Sequence, residues 1–153
     1  MKLGIPVYEG VDLLDVAGPY EMFKWVDSTK GLDTVILSEH GGPVTSVNGL
    51  RFEAHSSFAR TPALDIVWVP GGPVETLAKM MSDPGSAYFT YLKQVAAHAK
   101  WVCSVCEGAL LLDWPHQEER QRAVAAKEVL RLRELIFLIW RGRQDALPGV
   151  GVG

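Results

Sequence analysis

A single thiol sits where covalent chemistry could be done. Cys106 stands in WVCSVCEGALLL, residues 101–112, three positions after Cys103. If WVCSV is a strand and EGALLL opens a helix, Cys106 occupies the tight turn between them. Its side chain is then pushed out of the sheet toward the positive end of the helix, which lowers a thiol pKa and raises the thiolate fraction. Gly108 lets the turn stay tight, much as in the Gly-x-Ser-x-Gly elbow of hydrolases. The N–H of Glu107 then faces an oxyanion formed on a sulfur-bound substrate, and an N–H from the Gly71-Gly72 turn supplies a second donor.

Two plainer readings of the same residues stay open. Cys106 could be a small buried apolar residue, or one half of a redox Cys-x-x-Cys pair. In such pairs the first cysteine leads the helix and attacks. Cys103 falls two residues too early for that, inside the strand, where a packed core thiol is expected. A zinc site needs further ligands, but there is no second cysteine pair and His40, His55, His98 and His116 show no ligand spacing. No metal is expected.

The elements that must position this thiol alternate. KLGIPVY reads as a strand, with Pro6 suggesting an edge or an irregularity. DVAGPYEMFKWV reads as a helix with Pro19 at its first position, Glu21 in the first turn, and Met22, Phe23 and Val26 facing a core. DTVILSE is a second strand, and GGPVTSVNGLRFEAHSSF carries the turn chemistry of a hairpin. LDIVWVPGG is a buried strand ending in a glycine pair. The helices VETLAKMM and AYFTYLKQVAAHA follow, then WVCSV and EGALLL. Strand–helix alternation of this kind implies an α/β layered domain with a mostly parallel sheet. In such sheets ligands bind outside the carboxyl ends of the strands. LLDVAGP, PGG and CEG all arrive there, bringing the Asp15 carboxylate, flexible amides and the Cys106 thiol to one edge. Asp15 has an equally good plain reading, as a cap for a helix opening at Gly18-Pro19.

Composition bounds the function. At 153 residues, 48% hydrophobic and 22% charged, the chain has the profile of a soluble single domain. Its net charge of −3 gives no reason to expect a nucleic-acid partner. No apolar run reaches the roughly 18 residues of a membrane span, and MKLGIPVYEG lacks the segments of a signal peptide. With only two cysteines, no disulfide framework exists, so a reducing cytoplasm is the expected location.

VYEGVDLLDVAGPYEMF, LDIVWVPGG and SVCEGALLL, in this order and at these separations, resemble the ThiJ/PfpI superfamily. The resemblance covers residues 1–112. That superfamily is built on the class I glutamine amidotransferase-like fold, and the most similar branch holds isonitrile hydratases and the ligand domains of AraC-type regulators. The resemblance implies a flavodoxin-like three-layer sandwich, a homodimer, a small-molecule substrate, and neither metal nor organic cofactor. It makes Cys106 the elbow nucleophile and Asp15 the acid beside the sulfur. It places Gly72 and the amide of Glu107, with Gly71 adjoining, at the oxyanion and substrate. A carboxyl buried near a thiolate should have a raised pKa, stay protonated and donate to sulfur. In a hydratase of this kind, an isonitrile gives an N-substituted formamide through a thioimidate on Cys106. The alternative is a ligand-binding or oxidative-stress-sensing protein without turnover. Many relatives have Thr where this chain has Glu107, and a carboxylate there raises the thiol pKa if it points inward.

From Asp113 the resemblance stops. The family's C-terminal strands are missing from residues 113–153, which carry six arginines among seven basic residues, whereas residues 1–112 have two among eight. The tail reads as part of the same domain, helical from Gln117 to Trp140. Either it is a divergent helix packing Leu132, Leu135, Ile136 and Ile139 on the sheet, or it is foreign to the family, as a reading-frame shift after Leu112 would make it.

Overall fold

Four apolar runs of strand length call for a sheet covered on both faces. The computed structural model describes residues 1–112. In these the order is β1 (Lys2–Pro6), α1 (Leu13–Lys30), β2 (Asp33–Ser38), β3 (Gly42–Thr45), β4 (Arg51–Ala54), β5 (Ser56–Ser57), β6 (Ile66–Val69), α2 (Val74–Met81), α3 (Ala87–Ala96), β7 (Trp101–Ser104) and α4 (Gly108–Leu112). The main sheet runs β5-β2-β1-β6-β7, and every pairing in it is parallel. β3 and β4 form a separate antiparallel hairpin. It turns through Asn48-Gly49, where Gly49 has a φ of +82° that favours glycine.

Alternation along the strands builds two cores. Leu3, Ile5 and Val7 pack with Val16 of α1 and with Val44 and Ala54 of the hairpin. Val67 and Val69 of β6 point the other way, to Leu77 of α2, Leu92 and Val95 of α3 and Leu111 of α4. Helices thus cover both faces, which is the α/β sandwich that the strand–helix alternation implies. Each large side chain fully buried here contributes roughly 1.5–3 kcal/mol relative to exposure.

Both prolines singled out in the sequence sit elsewhere than expected. Pro6 belongs to β1, which is central rather than an edge. The β1–β6 register ends at Gly4–Val67, two residues before Pro6, so its missing N–H interrupts no pairing on that side. Pro19 lies inside α1, not at its start. The helix begins earlier because Asp12 caps it, its Oδ1 accepting from Leu14 N–H at 3.0 Å. Asp15 therefore lies in the first turn and does not cap the helix. Phe23 and Val26 pack against the core as expected, whereas Met22 is exposed.

No described helix is long and apolar enough to cross a membrane. The tail from Asp113, with its expected helix and missing strands, lies outside the described residues.

Leu92 is 1% exposed in the core of the second face. Leu92→Ala should cost about 2–5 kcal/mol, read as a lower midpoint in urea denaturation with an unchanged m-value.

Candidate active site

The geometry of the site starts from one backbone angle. Cys106 has φ +54°, the single non-glycine residue with positive φ among the described residues. Such a conformation costs about 1–3 kcal/mol and persists only where its surroundings enforce it. Gly108 supplies the enforcement, because a Cβ there would run into the carbonyl of Val69 and the backbone of Pro70. Val105 N–H donates to Val69 O at 3.1 Å. The turn after β7 is therefore pressed onto the end of β6, and Cys106 emerges exposed. Cys103 is buried within β7 and both thiols are free, so Cys103 takes the core place expected of it.

The PGG turn after β6 ties α1 to this elbow. Gly71 N–H donates to Asp15 Oδ2 at 2.9 Å, and Gly71 O accepts from Asp12 N–H at 3.0 Å. A Cβ on Gly71 would lie 2.9 Å from Asp15 Oδ2, 2.9 Å from Cys106 Cβ and 3.0 Å from Glu107 N. The structure thus brings Asp15, Gly71, Cys106 and Glu107 together, with Gly72 beside them. It also changes the part played by Gly71: its amide is engaged with the Asp15 carboxylate rather than open to an oxyanion.

Electrostatics at the sulfur run against the helix-terminus expectation. Asp15 is 7% exposed. Burial pushes its carboxyl above the ordinary carboxylate range, opposed by the Gly71 amide, with the Asp12 charge raising it further and the Cys106 thiol hydrogen bond lowering it. The Cys106 thiol is raised, first by its hydrogen bond to the Glu107 side chain, while the Glu107 N–H lowers it and the Asp15 charge adds to the rise. Glu107 is lowered by the same contact with the thiol and by its own N–H. Its carboxylate, on an exposed side chain, thus lies beside the sulfur. Both neighbouring side chains thus favour the protonated form of the thiol.

Tyr8 is the site residue that sequence reasoning missed. Its hydroxyl donates to Pro70 O at 3.3 Å, and lies 3.0 Å from where a Gly72 Cβ would be. Burial first, then the Asp15, Asp12, Glu107 and Cys106 charges, push its pKa up. The signal was available, since Tyr8 directly follows β1 and Val7 at the sheet edge that also pointed to Asp15.

A parallel α/β sandwich with a cysteine on a strained strand-to-helix elbow, and a buried carboxyl beside it, defines a recognisable class of proteins. The sequence matches the DJ-1/PfpI family over residues 1–128, and the chain belongs to that family. The match runs past Leu112, the limit drawn from the three motifs. The isonitrile hydratase of Pseudomonas putida is 31% identical over 112 residues, covering 73% of this chain and 46% of that protein. A Streptomyces lividans protein, described as an uncharacterized protein in the cpoL 5' region, is 34% identical over 124 residues, covering 80% of this chain and 84% of that one. The crystal structure of a ThiJ/PfpI family protein from Pseudomonas syringae superposes with a TM-score of 0.61 at 29% identity, over 72% of this chain and 44% of that one. The chain therefore spans under half the length of the hydratase and of the Pseudomonas syringae protein.

Two outcomes follow from the charges. Glu107→Gln should lower the Cys106 pKa by removing the negative charge beside the thiol and offering an N–H donor in its place, so alkylation at neutral pH becomes several-fold faster and its pH profile moves to lower pH. Asp15 favours its protonated form when folded, so that contribution to stability is present at low pH and lost as pH rises through the raised folded pKa. Asp15→Asn should then resist urea better than the parent at neutral pH, with the gap closing below the ordinary carboxylate range.

Proposed function

We propose that the chain is a cysteine-dependent hydratase converting an isonitrile to an N-substituted formamide. The observation that carries this reading is the strained Cys106 elbow with Asp15 packed against it across Gly71. Similarity to the Pseudomonas putida isonitrile hydratase supplies the substrate class. The charges around the Tyr8 hydroxyl are all acidic, and an isonitrile, being uncharged, is not repelled by them.

The sulfur of Cys106, on losing its proton to the Asp15 carboxylate, attacks the terminal isonitrile carbon and forms a C–S bond. Asp15 delivers that proton to the same carbon, giving a thioimidate. Water then adds to this carbon, one of its protons passing through Asp15 to the nitrogen, and the remaining hydroxyl proton moves to the sulfur as it leaves. The C–S bond breaks, releasing the formamide and restoring the sulfur. One water is consumed, with no net oxidation and no cofactor. Negative charge that develops in these steps is met by the amides of Glu107 and Gly72. An oxidative sensor needs a low-pKa thiolate, and the contact with Glu107 opposes that.

Two further parts of the reading rest on surfaces. Leu14 is 76% exposed and Trp25 56% on α1, and β7 is an edge strand among the described residues. Both favour self-association as a homodimer, which a monomer mass in solution would refute. Two free cysteines suit a reducing compartment such as the cytoplasm.

With an aliphatic isonitrile as substrate and the formamide followed by mass spectrometry, Cys106→Ala should abolish turnover. Asp15→Asn should reduce kcat by about 100- to 10,000-fold, the usual contribution of a positioned acid–base group. Formamide production by Cys106→Ala at the parent rate sinks the proposal.

A further inference from the structure

Pro19 creates a vacancy that Trp68 fills. In an α-helix residue 19 would donate its N–H to the carbonyl of residue 15, but proline has no N–H. Asp15 O is therefore left without its helical donor in the first turn of α1. The indole Nε1–H of Trp68 donates to that oxygen at 3.3 Å. Trp68 reaches it from β6, on the α1 face of the sheet, with its ring packed edge-on to Phe23 at 5.5 Å. Asp15 is thus held twice from one strand and its turn, at the carbonyl by Trp68 and at the carboxylate by Gly71 N–H.

We propose that Trp68 is a positioning residue for Asp15, and that the pair Pro19 and Trp68 fixes the carboxyl against the Cys106 sulfur. This rests on the reading of Asp15 as the acid beside the nucleophile. The arrangement makes the placement of Asp15 depend on β6 rather than on α1 alone. A helix with a normal residue at position 19 would satisfy the Asp15 carbonyl by itself, leaving the Gly71 contacts to hold this end of α1 on β6. With Pro19, the carbonyl finds its donor only where Trp68 stands, so α1 has one preferred seat. That seat is the one that brings the carboxyl to Gly71 and the elbow.

The test is a cycle of Trp68→Phe and Pro19→Ala, read by the pH midpoint of Cys106 alkylation with iodoacetamide, peptide by peptide. Phe keeps an aromatic ring against Phe23 and removes the N–H, whereas Ala at position 19 restores a helical donor to Asp15 O. Trp68→Phe alone should move the midpoint down, in the direction of Asp15→Asn, because the Asp15 charge is no longer held at the sulfur. In the Pro19→Ala background the same change should leave the midpoint where Pro19→Ala puts it. An equal shift in both backgrounds assigns Trp68 to ring packing only, and no shift in either removes it from the site; both overturn the proposal. If Trp68→Phe does not fold, the double variant decides, because it must fold with the Pro19→Ala midpoint and its failure to fold also overturns the proposal. Absence of isonitrile turnover in the parent would sink the hydratase reading and leave this cycle intact, since iodoacetamide is its probe.

Discussion

Everything at the strand ends is organised around the absence of a side chain at position 71. A single Cβ there would press on Asp15, Cys106 and Glu107 together. Both polar groups of the Gly71 peptide are used, the N–H on the Asp15 carboxylate and the carbonyl on Asp12 N–H. One residue without a side chain thus joins three elements that are far apart in sequence: the start of α1, the end of β6 and the turn after β7. Backbone-to-backbone contact is rigid in a way that side-chain contact is not, because neither partner has a rotamer to escape into. That rigidity is what can sustain the positive φ at Cys106, which would relax if β6 and β7 drew apart.

The same closeness sets the charge state. The exposed thiol beside Asp15 and Glu107 does not ionise cheaply, because both side chains favour its protonated form. Burial of Asp15 answers part of this by favouring its neutral form, and the Gly71 amide limits how far that goes. On the proposed reaction, the proton that leaves the thiol has a short path to Asp15, which can return it to the reacting carbon.

Much of this arrangement was legible in the sequence. Alternating apolar runs of strand length, followed by helices with turn residues between them, left little choice but a parallel α/β sheet, and the rule that ligands gather at strand carboxyl ends brought Asp15, the Gly71-Gly72 turn and Cys106 together. The start of α1 was misplaced because two capping signals compete in VDLLDVAGP. Pro19 has the stronger statistical claim to a helix start, but Asp12 wins because its cap lets Leu13 begin the helix and buries Val16 against β1. Pro6 pointed to an edge or an irregularity, and the choice between them waits on the strand's neighbours and the length of its pairing, which here stops at Gly4 on the β6 side. The direction of the Glu107 side chain could not be read at all. It depends on a rotamer at an elbow whose helical dipole and neighbouring carboxylates push the thiol in opposite senses.

Helix interiors rarely tolerate proline, since it removes a bond and crowds the preceding turn, at about 3 kcal/mol or more. α1 carries one four residues after Asp15. The lost bond falls on Asp15 O, and the carbonyl so exposed would be costly to leave unpaired beside a core. Trp68 removes that cost from across the sheet. Its position in β6 follows from strand alternation: Val67 and Val69 face α2 and α3, so Trp68 between them faces α1. The defect in the helix and the aromatic donor in the strand are therefore complementary, and together they add to the Gly71 contacts in favouring this seat for α1. A proline that looks like a helix start in the sequence acts in the fold as a register pin, handing the hold on Asp15 to the strand that also supplies Gly71.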